Sequence, residues 1–382
     1  MHLPMIRCRS LATTPAGAAA VTFTARAAMR LSCIVLAAIC SVTAGAGAAQ
    51  TTTQPATPAA SRSDEPLLER FSASKASEYL DAGRHVAEKN CFACHGGYAY
   101  LLVAPIVSSR SPAHRETRLA MERSIEALPA TDPIAMNASD MRPVEAVMTA
   151  AVLAQNDAAT TARLHPLTRK ALDRMWDFQQ ADGGWKWAKL NAPPSEMDDH
   201  FGVTMAAIGA GLAPERYALT PKAQDGLKKI CGYLRDHPPQ TMHNRAMLML
   251  AAAHTEGLMT DEQRKQTTAD LFALQRQDGG WAMASLGNWK RSDGQPQDLS
   301  SSDGYGTGFA TYVLRCAAGT PAEDPRLRKA VIWMKTHQRA SGCWFTRSPR
   351  KNDELSTYAG TAYVILALSS CGEIPPPAIG ND

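Results

Sequence analysis

Five consecutive residues, Cys91-Phe92-Ala93-Cys94-His95, carry the most specific chemistry in the chain. Two thiols three positions apart, with a histidine directly after them, form the attachment pattern of a c-type haem. The thiols bond covalently to the haem vinyl groups, and His95 supplies the proximal iron ligand. A redox dithiol or a disulfide uses the same C-x-x-C spacing, but a thioredoxin-like site needs a βαβ context that is absent here. The distal iron ligand would come from downstream, with Met121 or His114 as candidates and Met136, Met141 and Met148 also in range. Histidine–methionine ligation favours electron transfer, whereas five-coordinate iron is open to ligand binding or peroxide chemistry. Met121 and His114 fall on a segment expected to be irregular, and Met148 on an amphipathic helix as a core residue.

A second concentration of chemistry is Glu196-Met197-Asp198-Asp199-His200. Three carboxylates within four residues repel one another, so in a buried site at least one keeps its proton near neutral pH. His200 is placed to hold or orient such an acid. The competing reading is helix capping, because Asp at a helix N-terminus accepts backbone N–H bonds and complements the macrodipole. Ser302/Asp303 and Ser356/Thr357 occupy the matching places in two later segments and are also good caps.

The elements that must position these groups follow from the rest of the chain. It has 382 residues, 45% hydrophobic and 20% charged, which is globular composition with length for a sizeable core. Basic side chains outnumber acidic ones by only 40 to 36, and the excess equals Arg7, Arg9, Arg26 and Arg30 in a stretch, residues 1–48, with no Lys, Asp or Glu. Nothing remains to attract nucleic acid. The apolar run Leu31–Val42 and the small residues ending Ala46-Gly47-Ala48-Ala49 complete a secretory signal peptide, with Met29 as an alternative start. The run is too short to span a bilayer. Export agrees with haem attachment, which requires an exported apoprotein. Nine cysteines are too few for a disulfide scaffold, and the pairing of Cys231, Cys316, Cys343 and Cys371 stays open.

Residues 49–66 are rich in Thr, Pro and Ala and read as a flexible linker. Beyond them, apolar residues recur at helical spacing in Ala76–Asn90, Glu145–Gln155, Pro166–Gln179, Ala223–Leu234, Asn244–His254, Asp261–Gln275, Thr307–Ala317, Pro325–His337 and Ala359–Ser370. No period-two alternation with hairpin turns appears, so β structure is expected to be minor. Three segments repeat one pattern: Gln179-Gln-Ala-Asp-Gly-Gly-Trp185, Gln275-Arg-Gln-Asp-Gly-Gly-Trp281 and Gln338-Arg-Ala-Ser-Gly-Cys-Trp344. Gly relieves the left-handed conformation after the last helical turn, and Trp caps the helix end by stacking. Each unit is read as an outer helix, a Gly/Trp turn, a variable loop and an inner helix, with Gly202, Gly306 and Gly360 aligned near the inner starts. The longer first interval holds two helical pairs, the middle one lacking the motif.

The Q-x-x-D-G-G-W pattern resembles the QW motif of the terpenoid cyclase and protein prenyltransferase superfamily, squalene–hopene cyclases being the nearest relatives by motif. The resemblance covers roughly residues 140–373 and implies an α/α toroid. More loosely, the chain resembles exported bacterial proteins that couple one CxxCH to such repeats. In squalene–hopene cyclases the middle Asp of D-x-D-D protonates an alkene where an inner helix begins. The comparable place here holds Glu196, Asp198, Asp199 and His200, with Glu replacing the first Asp and His-Phe following the pair. Prenyltransferases of the superfamily hold zinc, but no D-x-C pair occurs and zinc is not expected. An aromatic content of 6% argues against full polycyclisation of squalene.

The expected protein is all-α: a signal peptide over 1–48, a linker over 49–66, a helical haem c-binding segment over 67–140, a single α/α toroid over 141–373 and a tail over 374–382. One covalent haem c serves redox chemistry or ligand binding. The alternatives are a cyclase- or isomerase-like enzyme using an Asp acid on an isoprenoid-type substrate, and a non-catalytic binding or sensory scaffold. Expected partners are a redox protein and a hydrophobic or anionic small molecule recognised by the loops bearing Trp187, Trp289, Lys290, Arg291, Phe345, Arg347 and Arg350. Neither nucleic acid nor a stable membrane span after signal cleavage is expected, and the location is the periplasm or the extracellular space.

Overall fold

The structure, a computed structural model, describes residues 62–84, 96–109, 111–127, 141–189, 193–195, 197–351 and 353–375. The expected signal peptide, most of the expected linker, Cys91, Cys94, His95, Met136 and Glu196 lie outside the described residues. Among the described residues the regular elements are helical, and the extended pairing is one antiparallel bridge between Leu67 and Arg339. The helices are α1 (Ala73–Gly83), α2 (Gly96–Val107), α3 (Pro112–Ala127), α4 (Arg142–Thr160), α5 (Pro166–Asp177), α6 (Asp199–Leu212), α7 (Pro221–Asp236), α8 (Met242–Ala252), α9 (Asp261–Ala273), α10 (Gly304–Cys316), α11 (Pro325–Thr336) and α12 (Asp353–Ser370). None of them is long and apolar enough to cross a membrane.

Local chemistry fixes most of the starts. Thr220, Thr241 and Thr260 cap α7, α8 and α9 through their hydroxyls, and Gln263 completes a capping box with Thr260. Proline stands at the first turn of α5, α7 and α11, where its missing N–H costs nothing.

The even-numbered helices form a closed inner ring, α2–α4–α6–α8–α10–α12 and back to α2, and the odd-numbered helices pack outside it. This is the α/α toroid. Neighbouring inner helices run parallel. Tyr98 and Leu101 of α2 bond successively to Thr149 and Asn156 of α4, and Asp198 and Gly211 at the two ends of α6 meet Asn244 and His254 at the two ends of α8. The most extensive inner contact, α10 on α12, depends on small residues: a Cβ on Gly308 would sit 2.5 Å from Val364 N.

The three Gln/Trp turns are superimposable in their bonding. Each Gln amide donates to the carbonyl of its own turn glycine and to a backbone carbonyl on the next outer element: Gln179 to Gly183 and Gly226, Gln275 to Gly279 and Arg326, Gln338 to Gly342 and Ser72. Each Trp Nε1 donates to a carbonyl near the end of its own outer helix, at Met175, Leu271 and Met334. Trp thus caps by hydrogen bonding while fully buried, rather than by stacking alone. The turn glycines have φ of +95°, +94° and +98°, which the left-handed bend requires. The motif is therefore a staple between successive outer helices, and the third copy joins α11 to the start of α1.

Several expectations change. The ring begins before residue 141, because α1 and α3 stand in its outer layer and α2 in its inner layer. Glu65 and Pro66, placed in the flexible linker, are tied to the third turn: Ala340 N donates to Pro66 O at 2.8 Å and Ser341 Oγ to Glu65 at 3.1 Å. The segment holding His114 and Met121 is the regular helix α3, not irregular chain. Ser356 and Thr357 are not caps, since α12 already starts at Asp353.

Candidate functional site

All six inner helices enclose a cavity of about 670 Å³ along the ring axis. Leu102, Met148, Met205, Met247, Tyr305 and Tyr363 each bring one helix to its wall. Met148 is thus a cavity residue rather than core filling. The wall is apolar and aromatic for most of its length, which suits a hydrophobic guest. Polar groups gather at its ends. Ser195, Ser348, Arg350 and Ser356 stand where the inner helices begin, and Gln155 and His254 where they finish. Burial pushes the His254 pKa down to about 4, so this imidazole is neutral at neutral pH. Arg350 is then the one charged side chain on the described wall.

Behind the wall lies an aromatic layer centred on His243, which is 1% exposed. Its ring stacks on Phe309 at 4.6 Å, and its Nε2 shares a hydrogen bond of 2.9 Å with the Tyr305 hydroxyl. Desolvation, reinforced by nearby His200, lowers its pKa to about 3. His200 is also buried, neither ring nitrogen has a hydrogen-bond partner among the described residues, and burial lowers its pKa to about 4 against the pull of Asp198. Both imidazoles are neutral at physiological pH. His243 therefore orients the Tyr305 hydroxyl at the cavity wall without charging it.

Of the expected acid cluster, the described residues Asp198, Asp199 and His200 stand outside this wall. Asp198 is the N-cap of α6: one carboxylate oxygen accepts from His200 N at 3.1 Å, the other from Asn244 Nδ2 at 2.9 Å. Asp199 is partly exposed and paired with Lys189 at 3.0 Å. Neither carboxylate nor His200 lines the cavity, whereas the next residue, Phe201, does. Asp303, expected as a cap, is one: it accepts from Gly306 N at 2.8 Å and Met283 N at 2.6 Å. Its burial nevertheless pushes its pKa up to about 7, although it too is off the central wall.

Of the loop residues, Trp187 and Trp289 are buried, with Trp187 Nε1 donating to Ser195 O and Trp289 edge-on to His243. Arg291 bonds Asp293 and Ser348 O, and Arg347 bonds Asp353. Arg350 alone of this group faces the cavity. Sequence reasoning missed Tyr98, Phe201, Met205, His254, Tyr305 and Tyr363. The inner helices are buried on several sides, so the helical spacing that marks them does not single out the face that lines the axis.

The haem candidates divide. Cys91, Cys94 and His95 lie outside the described residues, but their flanks meet: a Cβ on Gly96 would stand 2.9 Å from Arg84 O. Met121 is buried, and its Cε lies 3.4 Å from where a Gly97 Cβ would stand, two residues beyond His95. Both His114 ring nitrogens are engaged, Nδ1 with Ser109 O at 3.0 Å and Nε2 with Asn156. Cys316 and Cys371 are free thiols, and Cys343 Sγ accepts from Ser341 Oγ at 3.4 Å.

No family model matches the chain. It is 29% identical over 160 residues to the squalene–hopene cyclase of Bradyrhizobium diazoefficiens and 28% identical over 155 residues to that of Zymomonas mobilis. Each alignment covers 39% of this chain and 21% of the relative, so the chain spans about a fifth of the length of the curated relatives it matches. Among solved structures, the α-1,6-mannanase GH76A from Salegentibacter sp. HEL1_6 gives a TM-score of 0.48 at 10% identity, over 78% of this chain and 100% of that one. An inactive variant of that mannanase in complex with α-1,6-mannotetrose gives 0.46 at 12% identity, over 78% and 99%. The chain is an α/α toroid with sequence similarity to squalene–hopene cyclases.

Proposed function

We propose that this is an exported c-type haem protein whose toroid binds a hydrophobic small molecule in its central cavity. The carrying observation is the cavity: about 670 Å³ enclosed by six helices, with one charged side chain on its described wall. A space of that size and character fits a drug-sized apolar guest. The haem half of the reading rests on Cys91-Phe92-Ala93-Cys94-His95 and on the leader that precedes it. Helix α2 starts directly after His95 in sequence and supplies Tyr98 and Ala99 to the cavity wall, so the attachment motif directly precedes a helix that meets the guest. Cys91 and Cys94 would anchor the haem and His95 would ligate its iron. When bound, the haem supplies electron transfer or an open iron position. Met121 is the distal candidate whose position fits, beside Gly97. His114 fits poorly, because freeing a ring nitrogen breaks an existing bond.

The likeness to squalene–hopene cyclases favours a second reading, in which an isoprenoid-type substrate is cyclised or isomerised with Asp198 or Asp199 as acid. Their placement off the wall weighs against it. A spectrum and an intact mass of the full chain, produced with a c-type maturation system, test the first reading. One covalent haem is expected, lost in Cys91→Ala and Cys94→Ala. A haem-free parent protein overturns it. Turnover of an isoprenoid that disappears in a folded Asp198→Asn variant would replace it with the second.

A further inference from the structure

The cavity is asymmetric in a way that specifies its guest. At the end where the inner helices begin, Arg350 lines the wall, and its guanidinium has no hydrogen-bond or ion-pair partner among the described residues. Ser348 beside it is buried, and its Oγ already accepts from Arg350 N at 3.2 Å and Lys351 N at 3.3 Å. Its hydroxyl proton is therefore left to donate outward. Ser356, also buried and also on the wall, donates to no described residue. Asp353 is engaged by Arg347 and Ser348 N. This end carries a guanidinium and serine hydroxyls with no carboxylate on the described wall, and the middle of the cavity is hydrocarbon and aromatic ring.

We propose that the cavity takes a long-chain amphiphile with a single-charge anionic head, a carboxylate, seated on Arg350, Ser348 and Ser356 with its tail along the ring axis. This rests on the cavity being a binding site. A carboxylate is acceptor-only and matches a guanidinium in charge and shape. A diphosphate carries several charges and would leave some uncompensated against an apolar wall, which is costly. At ~30 Å³ per water-sized group, about 670 Å³ takes about 20 heavy atoms, the size of a long fatty acid.

The test is fluorescence titration of the full chain with cis-parinaric acid and with its uncharged methyl ester. The acid is expected to bind about ten- to a hundredfold tighter, the range for a charge-assisted hydrogen bond made out of water. Arg350→Ala should abolish that preference while leaving ester binding in place, and Arg350→Lys should retain part of it. Ala359→Trp, which fills the cavity beside Ser356, should block both probes, with circular dichroism confirming the fold. Equal binding of acid and ester to the parent overturns the head-group assignment and leaves the cavity reading standing. Failure of both probes to bind, or binding indifferent to a folded Ala359→Trp, overturns the cavity reading and this inference with it.

Discussion

Replacing Gln338 tests whether the ring is held closed by the third Gln/Trp turn. Its side chain is buried and makes three hydrogen bonds: Nε2 donates to Ser72 O at 2.9 Å and Gly342 O at 3.0 Å, and Oε1 accepts from Ser72 N at 2.8 Å. Two of them join residues 266 positions apart, so they fasten the last outer helix to the first. At about 1 kcal/mol net for each bond, Gln338→Ala should cost about 3 kcal/mol. Gln179→Ala and Gln275→Ala each remove two amide hydrogen bonds and should cost about 2 kcal/mol. Gln338→Glu should cost more than Gln338→Ala, because a carboxylate would face two carbonyl oxygens. Guanidinium unfolding of the full chain, compared at constant m, reads the ordering. Native-state hydrogen exchange adds the location: Tyr79 and Leu80 in α1 should lose protection in Gln338→Ala and keep it in Gln275→Ala. Equal costs at all three glutamines, or a loss at Gln338 below about 0.5 kcal/mol, would refute the idea of a ring-closing staple.

Three further outcomes follow from the same geometry. Gly342→Ala should be severely destabilising in thermal melts, since φ is +98° and the new Cβ would overlap Lys75 O, whereas Gly319→Ala has open space and should cost little beyond its φ of +70°. The folded pKa of His200, about 4, lies below the ordinary ~6.5, so the unfolded chain binds the extra proton between those values and stability falls as pH drops through that window. The loss should approach about 3 kcal/mol at pH 4, and urea midpoints for His200→Leu should be flatter with pH than those of the parent. Arg118 bonds Glu122 at 2.9 Å and Asp157 at 2.7 Å in a buried network, so Arg118→Ala should cost about 3–5 kcal/mol by stranding both carboxylates, and Asp157→Asn in the same background should recover part of it.

Much of this molecule was legible before folding was considered. Asp198 and Asp303 read as caps from type and position, and the structure uses both that way. Two helices escaped, for opposite reasons. In α2, Gly96–Val107, apolar residues occur on every side, because an inner helix is buried all round and shows no 3.6-residue phase. In α3, Arg118 and Glu122 are polar residues turned inward to a buried network, which inverts the usual pattern. Arg350 sat within a loop already suspected of recognition, but nothing local separated it from Arg291 and Arg347, whose charges are spent on Asp293 and Asp353.

The sequence by itself determined what is decided within a few residues. Helix starts depend on a capping side chain and the next turn, and the Gln-Gly-Trp turns depend on a glycine that can adopt positive φ six residues or fewer from both partners. The C-x-x-C-H pattern, Cys91 to His95, is likewise contiguous, and the expectation of a haem comes from the chain alone. Tertiary structure decided everything that joins distant segments: Ser72 as the closing partner of Gln338, Asn244 as the partner of Asp198, and the set of side chains that share the ring axis. Such contacts arise from which faces of twelve helices meet. Residue type and short-range periodicity do not encode that choice when the meeting faces are apolar on all sides.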